Sequence, residues 1–131
     1  MTNRVLVIED SQVIQRLIEV CLRPAGFDVE TRLDGPSGLA AVGECHPDLV
    51  ILDVGLPGMS GWEVLSSIRS DPATQDVLVM MLTGEVHESV KREATERGAN
   101  AYLSKPFRPQ ELREMATSLA GPSMKPVRAT S

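Results

Sequence analysis

The sequence has 131 residues, of which 42% are hydrophobic and 24% charged, and it carries a net charge of −5. This length is enough for one domain with its own core, and the composition excludes a disordered or fibrous chain. The acidic balance argues against nucleic-acid binding, which is dominated by cationic contacts to phosphate, and no apolar run approaches the ~20 residues of a membrane helix.

Five short apolar runs of strand type recur along the chain, at Val5–Ile8, Phe27–Thr31, Leu49–Leu52, Val77–Leu82 and Ala101–Leu103. The segments between them have mostly helical patterns, and this alternation predicts a parallel sheet with helices on both faces. The third and fourth runs are continuously apolar, which is typical of strands covered on both sides. The first run is too short for a signal-peptide core and leads into two acidic residues, so we expect a soluble, cytoplasmic protein.

The predicted helices differ in the apolar surface that they present. The first stops before Pro24 and carries a stripe expected to pack on the sheet, made of Val13, Ile14, Leu17, Ile18, Cys21 and Leu22. Shorter helices are predicted at about residues 36–45 and 63–70, and a last helix starts at Pro109 and ends near Gly121.

The fourth predicted helix, between Glu85 and Gly98, has a much thinner stripe. Its apolar positions are only Val86, Val90 and Ala94, so at ~25 cal/mol per Å² their burial contributes only a few kcal/mol. Either this helix is held weakly and shifts easily, or it is an ordinary helix with a solvated face.

The chain changes character after the last helix. Residues from Ala120 onward are rich in turn formers and lack periodicity, which is typical of a tail or the stub of a linker. We therefore expect one domain over residues 1–120 and a flexible segment over residues 121–131.

The two cysteines show no pattern of a redox or zinc site. Cys21 and Cys45 each lie among apolar residues at the end of a predicted helix, and neither has a second cysteine at C-x-x-C spacing. We interpret both as reduced residues of the core.

Polar residues follow four of the predicted strands at the points where those strands end. Glu9 and Asp10 follow the first strand, Asp53 the third, Thr83 the fourth and Lys105 the fifth. In an open parallel sheet, ligands bind beyond the carboxyl ends of the strands, where the strand order reverses. If strands one, three, four and five are neighbours, three carboxylates, a hydroxyl and an ammonium group meet in one crevice.

Three carboxylates in one crevice require positive charge nearby. Each close pair repels by roughly 4 kcal/mol at 4 Å with an effective dielectric constant of 20. Lys105 supplies one positive charge, and Mg²⁺ suits the remainder because it binds one or two carboxylates, keeps water ligands and bridges to phosphoryl oxygens. An aspartate in such a site can attack an activated phosphoryl group while the metal and the lysine neutralise the developing charge.

Four segments together resemble the receiver domains of two-component response regulators, the CheY-like family. They are Val5-Leu6-Val7-Ile8-Glu9-Asp10, the stretch from Pro47 to Gly61 around Asp53, Leu82-Thr83-Gly84, and Lys105-Pro106-Phe107. The resemblance is collinear over about residues 4–119. It implies the flavodoxin-like, doubly wound α/β fold for which CheY is a known example, a five-stranded parallel sheet in the order 2-1-3-4-5 with helices on both faces.

The resemblance also implies roles for the residues of the crevice. Asp53 would be both the phosphoacceptor and a metal ligand, Asp10 a direct ligand of Mg²⁺ or of a substituting Mn²⁺, and Glu9 a ligand through water. The backbone carbonyl of Gly55 would be a further metal ligand, and Lys105 would pair with the phosphoryl group. The peptide bond between Lys105 and the proline that follows it is expected to be cis.

For signalling, the resemblance implies a histidine kinase or a histidine phosphotransfer protein as the phosphoryl donor. Thr83 would bond a phosphoryl oxygen and Tyr102 would turn inward, which changes the surface of helix four, strand five and helix five. A downstream protein or domain would bind this surface, dimerisation on phosphorylation is a further option, and no nucleic-acid or membrane partner is expected. Such a chain is not an enzyme in its own right, although it assists its own phosphorylation and dephosphorylation.

Simpler interpretations of single residues stay open. Glu9 and Asp10 could merely cap the first helix, a role that Ser11 alone could fill. Thr83 could be an ordinary hydroxyl at a strand end, and Tyr102 could pack at the surface.

Two other functional classes fit the sequence less well than a receiver does. A haloacid dehalogenase-type phosphatase phosphorylates an aspartate too, but it has a second Asp two residues later on its first strand, whereas Gly55 stands there and Asp53 ends strand three. A flavodoxin needs a hydroxyl-rich phosphate loop after strand one, where Glu9 and Asp10 would repel the flavin phosphate. A receiver that serves only as a docking surface stays open. The lifetime of the phosphoryl group stays open too, because the resemblance implies that it varies with the residues at the positions of Gly55 and Glu85.

Overall fold

The computed structural model describes residues 3–84 and 88–121. Five strands, β1 to β5, cover Asn3–Ile8, Phe27–Arg32, Leu49–Asp53, Leu78–Thr83 and Ala101–Ser104. Five helices, α1 to α5, cover Gln12–Leu22, Gly35–Cys45, Gly61–Ser70, Glu88–Glu96 and Pro109–Ala120, with a 3-10 turn at Arg23–Ala25. Every predicted element is present, and none of these helices, as far as the described residues go, is long and apolar enough to span a lipid bilayer.

The sheet is parallel throughout, in the order β2-β1-β3-β4-β5. This confirms the predicted fold class. β1 lies between β2 and β3, so the strand order reverses at β1 and a crevice opens at the carboxyl ends of β1 and β3.

Two apolar layers cover the two faces of the sheet. Successive residues of a strand point to opposite faces, so Val5 and Val7 of β1 pack with α1 and α5, whereas Leu6 and Ile8 pack with α2, α3 and α4. The central strand β3 is buried over its whole length, which explains its continuously apolar run.

The face through which α1 packs lacks the first residue of the predicted apolar stripe. Val13 is 78% exposed, so its assignment to the packed stripe was wrong. Val13 lies five positions before the buried Ile18, which corresponds to ~140° around a helix. Gln15, three residues before Ile18, takes the buried position instead.

α4 has the thin apolar contact that its sequence predicted. Ala94 is its buried residue and Val90 is half-buried. The predicted contribution of Val86 lies outside the described residues, as do Glu85 and the tail at residues 122–131. Whether α4 shifts easily therefore stays a prediction.

The cysteines are free thiols, and they differ in how completely they are buried. Cys21 is buried in α1, as predicted, whereas Cys45 is half-buried. Cys45, the last residue of α2, packs against the core layer that contains α2, α3 and α4 without being fully buried, so the predicted core position is confirmed only in part.

Candidate functional site

A crevice lies at the carboxyl ends of the strands, where the sequence placed it. It is lined by Asp10, Asp53, Val54, Gly55, Thr83, Gly84 and Lys105. Glu9 lies beneath it with 1% of its surface exposed. The structure therefore brings all the predicted crevice residues together, because β1, β3, β4 and β5 end at the same edge of the sheet.

Three carboxylates of the crevice are close enough to share a cation. One carboxylate oxygen from each of Glu9, Asp10 and Asp53 lies within 4.8 Å of the other two. Ligand oxygens ~2.1 Å from Mg²⁺ can be up to ~4.2 Å apart across the ion, so small side-chain movements or a bridging water bring this set onto one ion. A purely oxygen donor set suits Mg²⁺ or Mn²⁺ rather than a softer metal.

Lys105 joins two of these carboxylates. Its Nζ lies 3.1 Å from Oε1 of Glu9 and 3.2 Å from Oδ1 of Asp53. Burial on its own would lower the pKa of Lys105, but the hydrogen bond and the charge of Glu9, together with those of Asp53, raise this pKa above its ordinary value. The ammonium group therefore stays charged and holds Glu9 and Asp53 on either side of it.

The charged form of Glu9 is disfavoured in its buried position even with Lys105 in place. Burial, and to a lesser extent repulsion from Asp53, raise the pKa of Glu9, although the hydrogen bond from Ser11 N–H and the pairing with Lys105 act in the opposite direction. The Ser11 N–H lies 3.0 Å from Oε2 of Glu9. A second cation beside Glu9 would stabilise the charged carboxylate.

The backbone holds Asp53 at the rim of β3. The N–H of Gly55 donates to Oδ1 of Asp53 at 3.1 Å, and the N–H of Val54 donates to the Leu82 carbonyl of β4 at 2.8 Å. A side chain at Gly61, the first residue of α3, would place its Cβ 2.2 Å from the Asp53 carbonyl oxygen. The loop after β3 therefore folds tightly against the end of β3 that carries Asp53, and only glycine fits at position 61.

Thr83 and Tyr102 share one face of the sheet. Thr83 pairs with Ser104 and Met81 with Tyr102 in the β4–β5 register, and residues two apart on a strand point the same way. Thr83 is 3% exposed and its carbonyl accepts a 2.7 Å hydrogen bond from Lys105 N–H, while Tyr102 is half-buried against the layer that includes α4. The arrangement puts both residues between the crevice and α4.

Two further structural details concern the Lys105-Pro106 peptide bond and the N-terminal cap of α1. The Lys105-Pro106 peptide bond is cis, as the resemblance implied. The hydroxyl of Ser11 accepts a hydrogen bond from Ile14 N–H and so caps α1, while the Glu9 carboxylate accepts from Ser11 N–H itself. The cap therefore belongs to Ser11, and Glu9 points into the crevice.

Gln15 and Gly61 are two residues of the site region whose roles the sequence analysis missed. Gln15 is buried beneath Glu9, and its spacing to Ile18 and Leu22 in α1 could have indicated its burial. Nothing local to Gly61 indicates its close approach to Asp53, because that contact depends on how α3 meets β3.

Comparisons with known proteins agree with this geometry. Residues 5–117 match the family model of the response regulator receiver domain. The chain belongs to this family.

Curated relatives of this receiver domain include a transcriptional regulator and a response regulator. The DNA-binding dual master transcriptional regulator RpaA of Synechocystis sp. is 37% identical over 111 residues, which are 83% of this chain and 45% of RpaA. The DNA-binding response regulator MtrA of Mycobacterium tuberculosis is 39% identical over 112 residues, which are 86% of this chain and 48% of MtrA. The chain thus spans about half the length of these relatives.

Solved receiver structures share its fold. The chemotaxis protein CheY4 of Vibrio cholerae superposes with a TM-score of 0.85 at 32% identity, over 91% of this chain and 99% of CheY4. The receiver domain of the sensor histidine kinase PA1611 of Pseudomonas aeruginosa PAO1 has a TM-score of 0.82 at 27% identity, over 91% of this chain and 98% of that domain. That structure contains a magnesium ion coordinated in its active-site cleft.

Proposed function

We propose that this receiver domain accepts a phosphoryl group on Asp53 and transmits the event to a protein partner. The observation that carries the proposal is the position of the Lys105 ammonium, within 3.2 Å of both Glu9 and Asp53. These two residues form a three-carboxylate cluster with Asp10 at an open crevice. A structural ion pair would not need Asp10 and Asp53 at the rim of a crevice. The domain is then a signalling phosphoacceptor rather than an enzyme acting on an external substrate.

The transfer uses groups that this chain supplies. The donor is the imidazole nitrogen of a phosphohistidine on a kinase or phosphotransfer protein. A carboxylate oxygen of Asp53 forms a bond to phosphorus as the bond between phosphorus and this nitrogen breaks. The departing nitrogen keeps the bonding electron pair. Lys105 offsets charge on the phosphoryl oxygens, and the N–H of Gly55 fixes the orientation of the carboxylate. Asp10, Asp53, the carbonyl of Gly55 and, through water, Glu9 would hold Mg²⁺. When bound, that ion neutralises charge on the transferring group.

Signalling would follow from the placement of Thr83 and Tyr102 between the crevice and α4. In this proposal the Thr83 hydroxyl bonds the new phosphoryl group and Tyr102 repacks, so the surface made by α4, β5 and α5 changes. The acidic net charge of −5 favours a protein partner for this chain over a nucleic acid.

Intact-mass measurement tests the phosphoacceptor directly. We expect wild type incubated with Mg²⁺ and acetyl phosphate or phosphoramidate to gain one phosphoryl group, and Asp53→Asn to gain none. Asp28→Asn is a matched control, because Asp28 is exposed on β2 away from the crevice. Uptake that persists in Asp53→Asn would refute the assignment, and a wild type that is inert with every donor would favour a docking-only receiver.

Hydrogen exchange tests the signalling part. Beryllofluoride with Mg²⁺ imitates an aspartyl phosphate, and we expect it to change amide exchange in α4 and β5. Thr83→Ala should weaken that change without preventing beryllofluoride binding. Equal changes over all five helices would contradict a signal confined to one surface.

A further inference from the structure

Gln15 is a polar side chain buried in the first turns of α1. It is 8% exposed, and it occupies the face of α1 that carries Ile18 and Leu22. A buried amide is unfavourable unless its hydrogen bonds are made. The Nε2 group of Gln15 donates to the Glu9 carbonyl at 3.0 Å and to the Arg32 carbonyl at 3.0 Å.

These two bonds lie where β1 stops pairing with β2. The last paired residues are Ile8 and Arg32, and the N–H of Glu9 still donates to the Arg32 carbonyl at 3.0 Å. Beyond this point the Gln15 amide replaces the backbone pairing of β1 and β2, because it connects the carbonyls of Glu9 and Arg32. The backbone of Glu9 is thus held on both its N–H and its carbonyl side.

Asp10 lies between two peptide groups that are both held in this way. The peptide before Asp10 contains the Glu9 carbonyl, which accepts from Gln15. The peptide after Asp10 contains the Ser11 N–H, which donates to the Glu9 carboxylate. Because peptide groups are planar and each residue has only two soft backbone torsions, holding both planes fixes the direction in which the Asp10 side chain leaves the backbone.

We propose that Gln15 is a positioning residue that sets the affinity of the acidic crevice for its divalent ion. It acts by holding the Glu9-Asp10 backbone, so that the carboxylates of both residues face Asp53. The inference rests on the metal-binding part of the proposed function. An aliphatic side chain would suffice if position 15 served only to pack α1 on the sheet, as Ile18 and Leu22 do.

A pair of identical substitutions on one helix tests the proposal. Gln15→Met keeps the approximate shape and removes both donors, whereas Gln12→Met makes the same change at an exposed position of α1. Partners that orient metal ligands typically contribute 10–100-fold to metal affinity. We therefore expect calorimetric titration with Mg²⁺ to show binding at least ~10-fold weaker in Gln15→Met, and within about twofold of wild type in Gln12→Met.

The outcomes separate this inference from the metal site itself. If wild type binds Mg²⁺ and Gln15→Met binds it equally well but unfolds more readily, Gln15 is only structural and the inference is wrong. If wild type does not bind Mg²⁺ at millimolar concentration, both the metal site and the inference fall.

A measurement on wild type decides the case even if Gln15→Met does not fold. In nitrogen-15 spectra, the side-chain amide protons of Gln15 should exchange with water much more slowly than those of Gln12, and Mg²⁺ should shift the Gln15 resonance and slow its exchange further. Gln15 protons that exchange as fast as those of Gln12, or that do not respond to Mg²⁺, would overturn the proposal.

Discussion

Glu9, Asp10, Asp53 and Lys105 leave the crevice with unbalanced charge. If all four groups are ionised, three negative charges and one positive charge sum to −2. A divalent cation balances that sum, and a phosphoryl group brings further oxygen ligands for it. The residue composition of the crevice therefore favours Mg²⁺ over a monovalent ion.

Glu9 should give the metal-free domain a specific pH dependence. A carboxyl group whose pKa is raised in the folded state stabilises the fold below its ordinary pKa and loses that contribution as the pH rises through the folded-state pKa. We therefore expect Glu9→Gln to gain stability relative to wild type as the pH rises from about 4.5 toward neutrality. Urea unfolding of both proteins in a chelator checks this, and a difference that stays constant over that range would contradict it.

Gly61 should tolerate no side chain. In Gly61→Ala the new Cβ would lie 2.2 Å from the Asp53 carbonyl and 2.7 Å from the Cα of Val54, so the loop after β3 must shift, at a cost of about 1–3 kcal/mol or more. Gly43 in α2 is the matched control, because its Cβ would meet nothing within 4 Å. Gly43→Ala should be neutral or stabilising by up to ~1 kcal/mol.

Both glycine variants can be followed by thermal unfolding and by phosphoryl uptake. Gly61→Ala should lose uptake as well as stability, since the displaced backbone carries Asp53. A Gly61→Ala protein as stable as wild type would show that the close approach has no energetic consequence.

At the scale of elements, Arg69 connects the end of α3 to the segments that precede and follow β4 in the chain. Its guanidinium donates to the carbonyls of Gly98, Gln75 and Val77, at 3.0, 2.8 and 2.7 Å, and to Oδ1 of Asn100 at 2.9 Å. The same Asn100 oxygen accepts from Val79 N–H. The C-terminal side of α4 is thereby fixed to α3, while the apolar contact of α4 itself is small.

Arg69→Lys should loosen this connection. Lysine keeps the charge but cannot reproduce the planar fork of donors, so partly buried carbonyls lose their partners at a cost of about 2–3 kcal/mol. Arg92→Lys, on the exposed side of α4, should change stability by no more than about 0.5 kcal/mol. Chemical denaturation measures both, and equal stabilities for the two variants would contradict the role of Arg69.

At the scale of the whole molecule, metal binding should report folding. Glu9, Asp10 and Asp53 come together only when β1 and β3 pair, so the proposed Mg²⁺ site exists only in the folded chain. At 100 times its dissociation constant the ion should raise the free energy of unfolding by ~2.7 kcal/mol, and a chelator should reverse this. Asp10→Asn should lose most of the increase, whereas Asp28→Asn should keep it.

This linkage can be measured by urea unfolding at constant ionic strength. A stabilisation of the same size in Asp10→Asn would place the ion elsewhere. A stabilisation that follows ionic strength rather than Mg²⁺ would indicate screening of the acidic surface instead of a site.

The strands, the helices and the residues of the crevice could be predicted from the sequence alone. Apolar runs and helical stripes are local patterns, and parallel strands end at one edge of a sheet, so Asp53 and Lys105 could be placed together without any known contact. The strand order came from the family resemblance rather than from spacing. Val13 shows the limit of the pattern, since an apolar residue within a helical stripe lies on the exposed face.

The neighbours that position the crevice residues could be identified only from the folded chain. The spacing of Gln15 to Ile18 could indicate its burial but not its role, which depends on the Arg32 carbonyl, 17 residues further along the chain. Gly61 reads like any loop glycine, and its necessity depends on a 2.2 Å approach to the Asp53 backbone. Such contacts arise from ångström-scale distances between separate elements, which the local pattern of residue types does not encode.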